Sequence, residues 1–153
     1  MKQLDRIDYR ILKMLQNDAK ATIKEMAATL GMTTTPVYER IKRMEESGYI
    51  TNYVALLDRK MLGYHMVAFC TLSLKEHAQP HLKTFEEEIK SLEEIVECYH
   101  IAGMYDYLLK VIVKDMDDYQ RFITQKLATI ENISNVQSSF IMQEIKASTA
   151  LKL

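Results

Sequence analysis

Seven side chains between Thr34 and Arg43 have the types and the spacing to bind a nucleic acid. In the run TTTPVYERIKRMEESGYI, a helical projection turns Thr34, Thr35, Tyr38, Glu39, Lys42 and Arg43 outward and leaves Arg40 at the border of that face. Thr and Tyr hydroxyls can donate to phosphate or meet a base edge, and Lys and Arg neutralise phosphate or read guanine. Such residues can equally form the solvated face of any small helical domain. The rest of the chemistry-bearing inventory is sparse. His65, His77, His81 and His100 share no metal-ligand spacing with a Cys or an Asp. His77 and His81 stand four apart, but Pro80 marks where their helix is expected to begin, so one helix face does not present both. No metal ligands and no catalytic residues are assigned.

A DNA-reading face needs a helix held against others, and the flanking sequence supplies them. Thr22 is an N-cap with Glu25 three residues on as its capping-box partner. Ile23, Met26, Ala27 and Leu30 recur on one helix face, and Gly31 follows where a left-handed cap is needed. Thr33 is the expected N-cap of the next helix, with Pro36 in its first turn, where a missing N–H breaks no helical bond. Val37, Ile41 and Met44 face inward, and Gly48 closes the helix after Ser47. Leu4, Ile7, Ile11, Leu12 and Leu15 form the stripe of a preceding helix. Residues 49–57 read as an extended segment. The order is that of a winged helix-turn-helix followed by a linking strand.

The chain has 153 residues, enough for one ordinary domain or two small ones. Its net charge is near zero but unevenly spread. Residues 1–60 carry 11 Lys and Arg against 8 Asp and Glu, and the remainder carries 9 against 13. The basic surplus accompanies the helix-turn-helix and is small enough that a dimer is the expected DNA-binding form. The N-terminus has no signal-peptide core and no stretch reaches a transmembrane length, so a cytoplasmic, nucleoid-associated protein is expected, with no membrane partner. Cys70 and Cys98 are expected to be buried reduced thiols, and the ten methionines to fill core gaps.

The second half alternates. Strands are expected over 66–74, 95–101, 105–113 and 133–145, and helices over 79–92 and 115–130. Gly103 between the two middle strands predicts a tight antiparallel hairpin. The order βαββαβ defines a ferredoxin-like sandwich, so the chain is expected to be α+β. Its domains fall at 1–50 for the DNA-binding domain, 51–63 for the linker strand, and 64–153 for the second domain. Two helices on one face leave the other sheet face for a second subunit to cover.

The segments TTPVYERIKRMEESGYI, LLDRKMLGY, IAGMYDYLLKV and FIMQEIKAST, in this order and at this spacing, resemble the Lrp/AsnC family of transcriptional regulators across nearly the whole chain. The resemblance implies a regulator of double-stranded DNA with no cofactor. Its effector would be an amino acid bound in clefts between dimers, and its homodimers would assemble further, often into octamers. The family hairpin usually reads Gly-Asp-aromatic-Asp. Here Gly103, Tyr105 and Asp106 match and Met104 replaces the first acid. The implied effector site is therefore Ile101, Ala102, Gly103, Met104, Tyr105 and Asp106, with Val136 and Ser138 from the last strand. Asp106 would hold the α-ammonium and exposed amides the α-carboxylate. Alternatively, Asp106 is a turn residue satisfied by local amides. Met104 points either to an apolar, Met- or Leu-like effector or to a site that has lost its effector. Two other roles are implied by relatives. One is DNA wrapping with little sequence preference. The other, more remote, is tetrapyrrole decarboxylation through basic and His residues of the C-terminal cleft, for which the hairpin here offers only His100 and no Arg.

Overall fold

The computed structural model describes residues 3–153. They form two compact units. One comprises the chain through Leu56 together with Lys146–Leu153, and the other is Leu57–Ile145.

The first unit is built on three helices, α1 (Arg6–Asn17), α2 (Ile23–Leu30) and α3 (Thr34–Glu46). Each start is fixed chemically. The Asp5 carboxylate accepts from the amides of Ile7 and Asp8, at 2.8 and 2.9 Å, and Asp8 accepts in return from the Asp5 amide at 3.0 Å. The expected capping box of α2 is present: Glu25 N donates to Thr22 Oγ1 at 3.2 Å and Thr22 N to Glu25 Oε2 at 2.7 Å. Gly31, at φ 67°, ends α2 in the left-handed conformation that glycine adopts without steric cost. Thr33 occupies the N-cap of α3, although its hydroxyl makes no capping bond. Ile11, Met26, Ala27, Val37, Ile41 and Met44 form the buried core, with Leu4, Ile7, Leu12 and Leu15 packed around it.

Residues 51–63 depart from the expected linker strand. They form no ladder, and Tyr53, Val54, Leu56 and Leu57 stand exposed. β-forming residues make a strand only when a neighbouring strand pairs with them, and none does here. By contact, Lys146–Leu153 group with the helical unit. The Gln16 side chain accepts from Leu151 N at 2.6 Å and donates to Leu151 O at 3.2 Å.

The second unit is the expected βαββαβ sandwich. Strands β1 (Met66–Leu74), β2 (Ile95–His100), β3 (Tyr107–Val113) and β4 (Ile133–Phe140) form an antiparallel sheet in the order β2-β3-β1-β4. Helices α4 (Gln79–Lys90) and α5 (Met116–Gln125) supply Phe85, Ile89, Tyr119 and Phe122 to one sheet face. Alternate residues meet them there: Ala68, Cys70, Leu72 and Leu74 from β1, and Tyr107, Leu109, Val111 and Val113 from β3.

Four local expectations change. The link between β2 and β3 is a six-residue loop, 101–106, rather than a tight hairpin, because Tyr105 and Asp106 leave the ladder. The helix after Asp115 stops at Gln125, and a short 3-10 turn, Leu127–Thr129, buries Leu127 instead. Strand β4 ends at Phe140 rather than Ile145. Cys70 is buried as expected, but Cys98 is exposed, since β2 is the sheet's edge strand.

Leu109 lies fully buried on β3, opposite Cys70 of β1 and Cys98 of β2. Leu109→Asp puts an unpaired charge into that core, a cost above about 4 kcal/mol that exceeds much of a small domain's stability. Circular dichroism and urea unfolding are expected to show the second unit unfolded. A folded variant of normal stability would mean that residue 109 faces solvent.

Candidate functional site

The structure sorts the α3 residues into two groups. Thr34, Thr35, Tyr38, Glu39 and Lys42 are exposed. The Lys42 ammonium lies 3.9 Å from Glu46 one turn on, a loose surface pair that leaves it available to a phosphate. Thr34, Thr35 and Tyr38 border an open depression of about 530 Å³ whose other wall is Thr22, Ile23 and Lys24, at the start of α2. The outward face of α3 therefore continues onto the first turn of the preceding helix. Lys24 adds a cation there that was not among the expected residues, because it lies on the helix that was read only as packing support.

Arg40 and Arg43 behave differently and correct the sequence reading. Both guanidiniums turn back onto α1. Arg43 Nη2 donates to both carboxylate oxygens of Asp8, at 2.7 and 2.8 Å. Arg40 Nη1 donates to Asp8 at 2.7 Å and to Asp5 at 2.6 Å. Asp8 is only 1% exposed, so these donors take the place of water around its carboxylate. The amides of the first turn and the Arg40 guanidinium hold the Asp5 carboxyl below the usual carboxylate range. The same pairs hold Arg40 more firmly protonated than usual. These two arginines anchor α3 rather than standing free toward a ligand. A lone acid on the apolar stripe of α1, three and four residues from Ile11 and Leu12, was the available sign that a cation must point inward.

In the second unit the loop 101–106 is closed by backbone bonds at both ends. Ile101 N donates to Asp106 O at 2.8 Å, and Asp106 N donates to Leu72 O at 2.9 Å. Between them, the amides of Ala102, Gly103, Met104 and Tyr105 meet no acceptor among the described residues. Met104 is 88% exposed beside them.

Asp106 is already engaged. Leu74 N donates to its Oδ2 at 2.7 Å, and His77 Nε2 lies 2.9 Å from its Oδ1. The Leu74 amide, then the His77 ring, with a further contribution from His100, hold its carboxyl below the ordinary value of 3.8. A depressed value means that the latch favours the folded loop fully above pH 4 or so and releases it only as acid protonates the carboxylate. Asp106 is thus satisfied by an amide of β1, 32 residues away, and not by the local amides of a turn. Nothing in the spacing of His77 pointed to Asp106 as its partner. The i, i+4 pair of His77 and His81 is divided between two carboxylates, since His81 pairs with Glu76 at 2.9 Å. His100 stacks on Tyr107, with ring centroids 4.7 Å apart.

The last-strand residues lie on the other side of the sheet. Val136 and Ser138 pair across β1 with Leu72 and Cys70, on the face that packs the helices. Val136 packs against the core, and Ser138 bonds the Tyr119 hydroxyl, whose oxygen also lies 3.1 Å from Cys70 Sγ. The residue that meets the loop is their neighbour Gln137, whose side-chain oxygen accepts from Tyr105 Oη. A one-residue change of parity moves the strand's contribution from one face to the other.

Comparison with known proteins joins the two units. Residues 4–51 match the model of a winged helix-turn-helix DNA-binding domain, and residues 67–151 that of an Lrp/AsnC ligand binding domain. The chain is 35% identical to the Bkd operon transcriptional regulator of Pseudomonas aeruginosa, over 98% of each chain. An AsnC family transcriptional regulator from Agrobacterium tumefaciens superposes with a TM-score of 0.93 at 38% identity, covering 97% of each chain. A transcriptional regulator from Neisseria meningitidis, solved as its complex with L-Met, superposes with a TM-score of 0.94 at 29% identity, covering 98% of this chain and 97% of that one.

The division of α3 can be measured. Lys42→Ala is expected to leave unfolding unchanged and to reduce the salt dependence of DNA binding by about one counterion. Arg43→Ala is expected instead to lower unfolding stability by about 1–3 kcal/mol, by removing a two-bond partner from the buried Asp8. A stability-neutral Arg43→Ala whose salt slope falls like that of Lys42→Ala would return Arg43 to the DNA-facing group.

Proposed function

This chain belongs to the Lrp/AsnC family of transcriptional regulators, and on that premise we propose that its DNA binding or assembly responds to a free, apolar amino acid seated on the loop 101–106. The observation that carries this reading is the run of four unpaired amides, Ala102 to Tyr105, beside the exposed side chain of Met104. Consecutive free amides offer an α-carboxylate several donors at once. Met104 replaces an acid with a flexible apolar group, which suits an apolar side chain. That the Neisseria relative was solved with L-Met supports the same class of effector. Asp106 acts chiefly by fixing the loop. An incoming α-ammonium shares its Oδ1 with the exposed His77 imidazole.

Binding to double-stranded DNA runs through α3, with Thr34, Thr35 and Tyr38 at the bases or phosphates and Lys42 and Lys24 at phosphates. The sheet face opposite the helices carries Phe69, Leu108 and Ile112, half-buried, and the exposed Tyr99. A second copy covers it, giving a homodimer, and dimers associate further, up to an octamer. Two copies also present the modest basic surplus of the N-terminal unit twice. With this role the protein works in the cytoplasm on nucleoid DNA.

The test is thermal unfolding of the full chain against each of the twenty amino acids, with oligomer size measured for every ligand that stabilises. L-Met or L-Leu at about a hundred times its dissociation constant is expected to add about 2.7 kcal/mol of stability and to shift the oligomer distribution. No stabilising amino acid at millimolar concentration would overturn the proposal. Asp106→Ala is expected to stay folded and to lose the response, because the loop loses its tie to Leu74. An undiminished response would show that the loop's closure does not depend on that tie.

A further inference from the structure

A second polar cavity lies at the far end of β3 from the loop 101–106. It has a volume of about 310 Å³ and lies where the end of β3 meets the start of β2 and helix α5. Its apolar lining comes from Ile112, Val113 and Phe122, with Tyr64 at one side. Its charged lining is balanced, and most of it is internally paired. Lys126 Nζ lies 2.5 Å from Glu94 Oε1, and Arg121 pairs with Asp118.

Three groups are left over: the exposed Glu93 carboxylate, which makes no ion pair among the described residues, one oxygen of Glu94, and Lys114. Glu94 Oε2 is shielded from solvent and accepts no hydrogen bond, the only such side-chain atom among the described residues. Lys114, exposed and also lining the cavity, has no carboxylate within ion-pair distance among the described residues. An orphaned, desolvated carboxylate oxygen is rare in folded proteins and calls for a donor. Glu94 is placed there by the chain's local geometry. Its carbonyl accepts from Ile112 N at 2.9 Å, and the pairing of β2 with β3 then shifts register between Ile95 and Glu97. Irregularities of this kind re-aim side chains beside functional sites.

An unsatisfied Glu94 oxygen, the free Glu93 carboxylate next to it in the chain and one unpaired cation, on a small cavity with an apolar lining, are complementary to a molecule that carries an amine and an acid. We infer that this cavity is a second binding site, for a small zwitterionic amino acid whose ammonium donates to Glu94 Oε2 and whose carboxylate meets Lys114. The volume suits a free amino acid. The site is separate from the loop 101–106 and stands whether or not that loop holds an effector.

The chain contains no Trp, so Tyr64→Trp gives a single fluorescent reporter on the cavity wall. In the full chain carrying that reporter, glycine, L-alanine and L-methionine are each titrated to millimolar concentration. The expected result is a saturable change in emission for at least one of them. N-acetyl-L-alanine and L-alaninamide, which lack one charge each, should give none. Glu94→Gln and Lys114→Ala should each weaken binding about tenfold, the scale of one charge-assisted hydrogen bond. Lys114 is exposed, so its variant remains informative if Glu94→Gln proves unstable. Asp106→Ala should leave the titration unchanged. No saturable change, an equal response to the blocked analogues, parental affinity in Lys114→Ala, or loss of the signal in Asp106→Ala would each overturn the inference.

Discussion

The burial of one carboxylate organises the DNA-binding unit. Asp8 sits on the apolar side of α1, where a charge taken out of water is tolerated only if donors surround it. Here the Asp5 amide and the guanidiniums of Arg40 and Arg43 supply them. The consequence extends beyond the pair. Arg40 and Arg43 lie one turn apart on α3, so a single fixed point on α1 sets both the rotation and the axial position of α3. That rotation turns Tyr38 and Lys42 outward and Val37, Ile41 and Met44 into the core. The presentation of the outward face depends on a bond that faces inward.

The ligand-binding unit rests on a different constraint, the two-residue period of its strands. Every second residue of β1 and β3 packs the helices, and the others face away. The same parity places Val136 and Ser138 beneath the sheet and gives Gln137 to Tyr105. It brings Ser138 to the buried Tyr119 hydroxyl, so this serine satisfies a core group instead of meeting a ligand. The loop 101–106 escapes the period altogether, and its middle amides are for that reason left without strand partners.

Much of this was legible in the sequence because short-range chemistry leaves short-range marks. Thr22 with Glu25, Gly31 after Leu30, and the apolar stripes of α1, α2 and α3 depend only on neighbours within two helical turns, and all form as read. The order of strands and helices follows from periods that a single chain displays. What was not legible depended on partners distant in sequence. Arg43 looks outward on a helical projection until Asp8, 35 residues earlier, is known to face it. Asp106 looks free until Leu74 and His77 are folded against it. Residues 51–57 have strand composition but no strand to pair with, and composition cannot report an absent neighbour. Nor was it legible which face of β4 each residue takes, since its polar outer residues and its small inner serine read alike.

Gln16 has a consequence for how the two units are joined. Its amide grips Leu151 through both backbone groups, as a neighbouring strand would, and the residues from Lys146 onward belong to the helical unit. By these contacts the helical unit takes one strip of its surface from beyond Ile145, although the family's ligand binding domain runs to residue 151. A fragment ending at Ile50 would lack one strip of its own surface and leave the Gln16 amide without its partner.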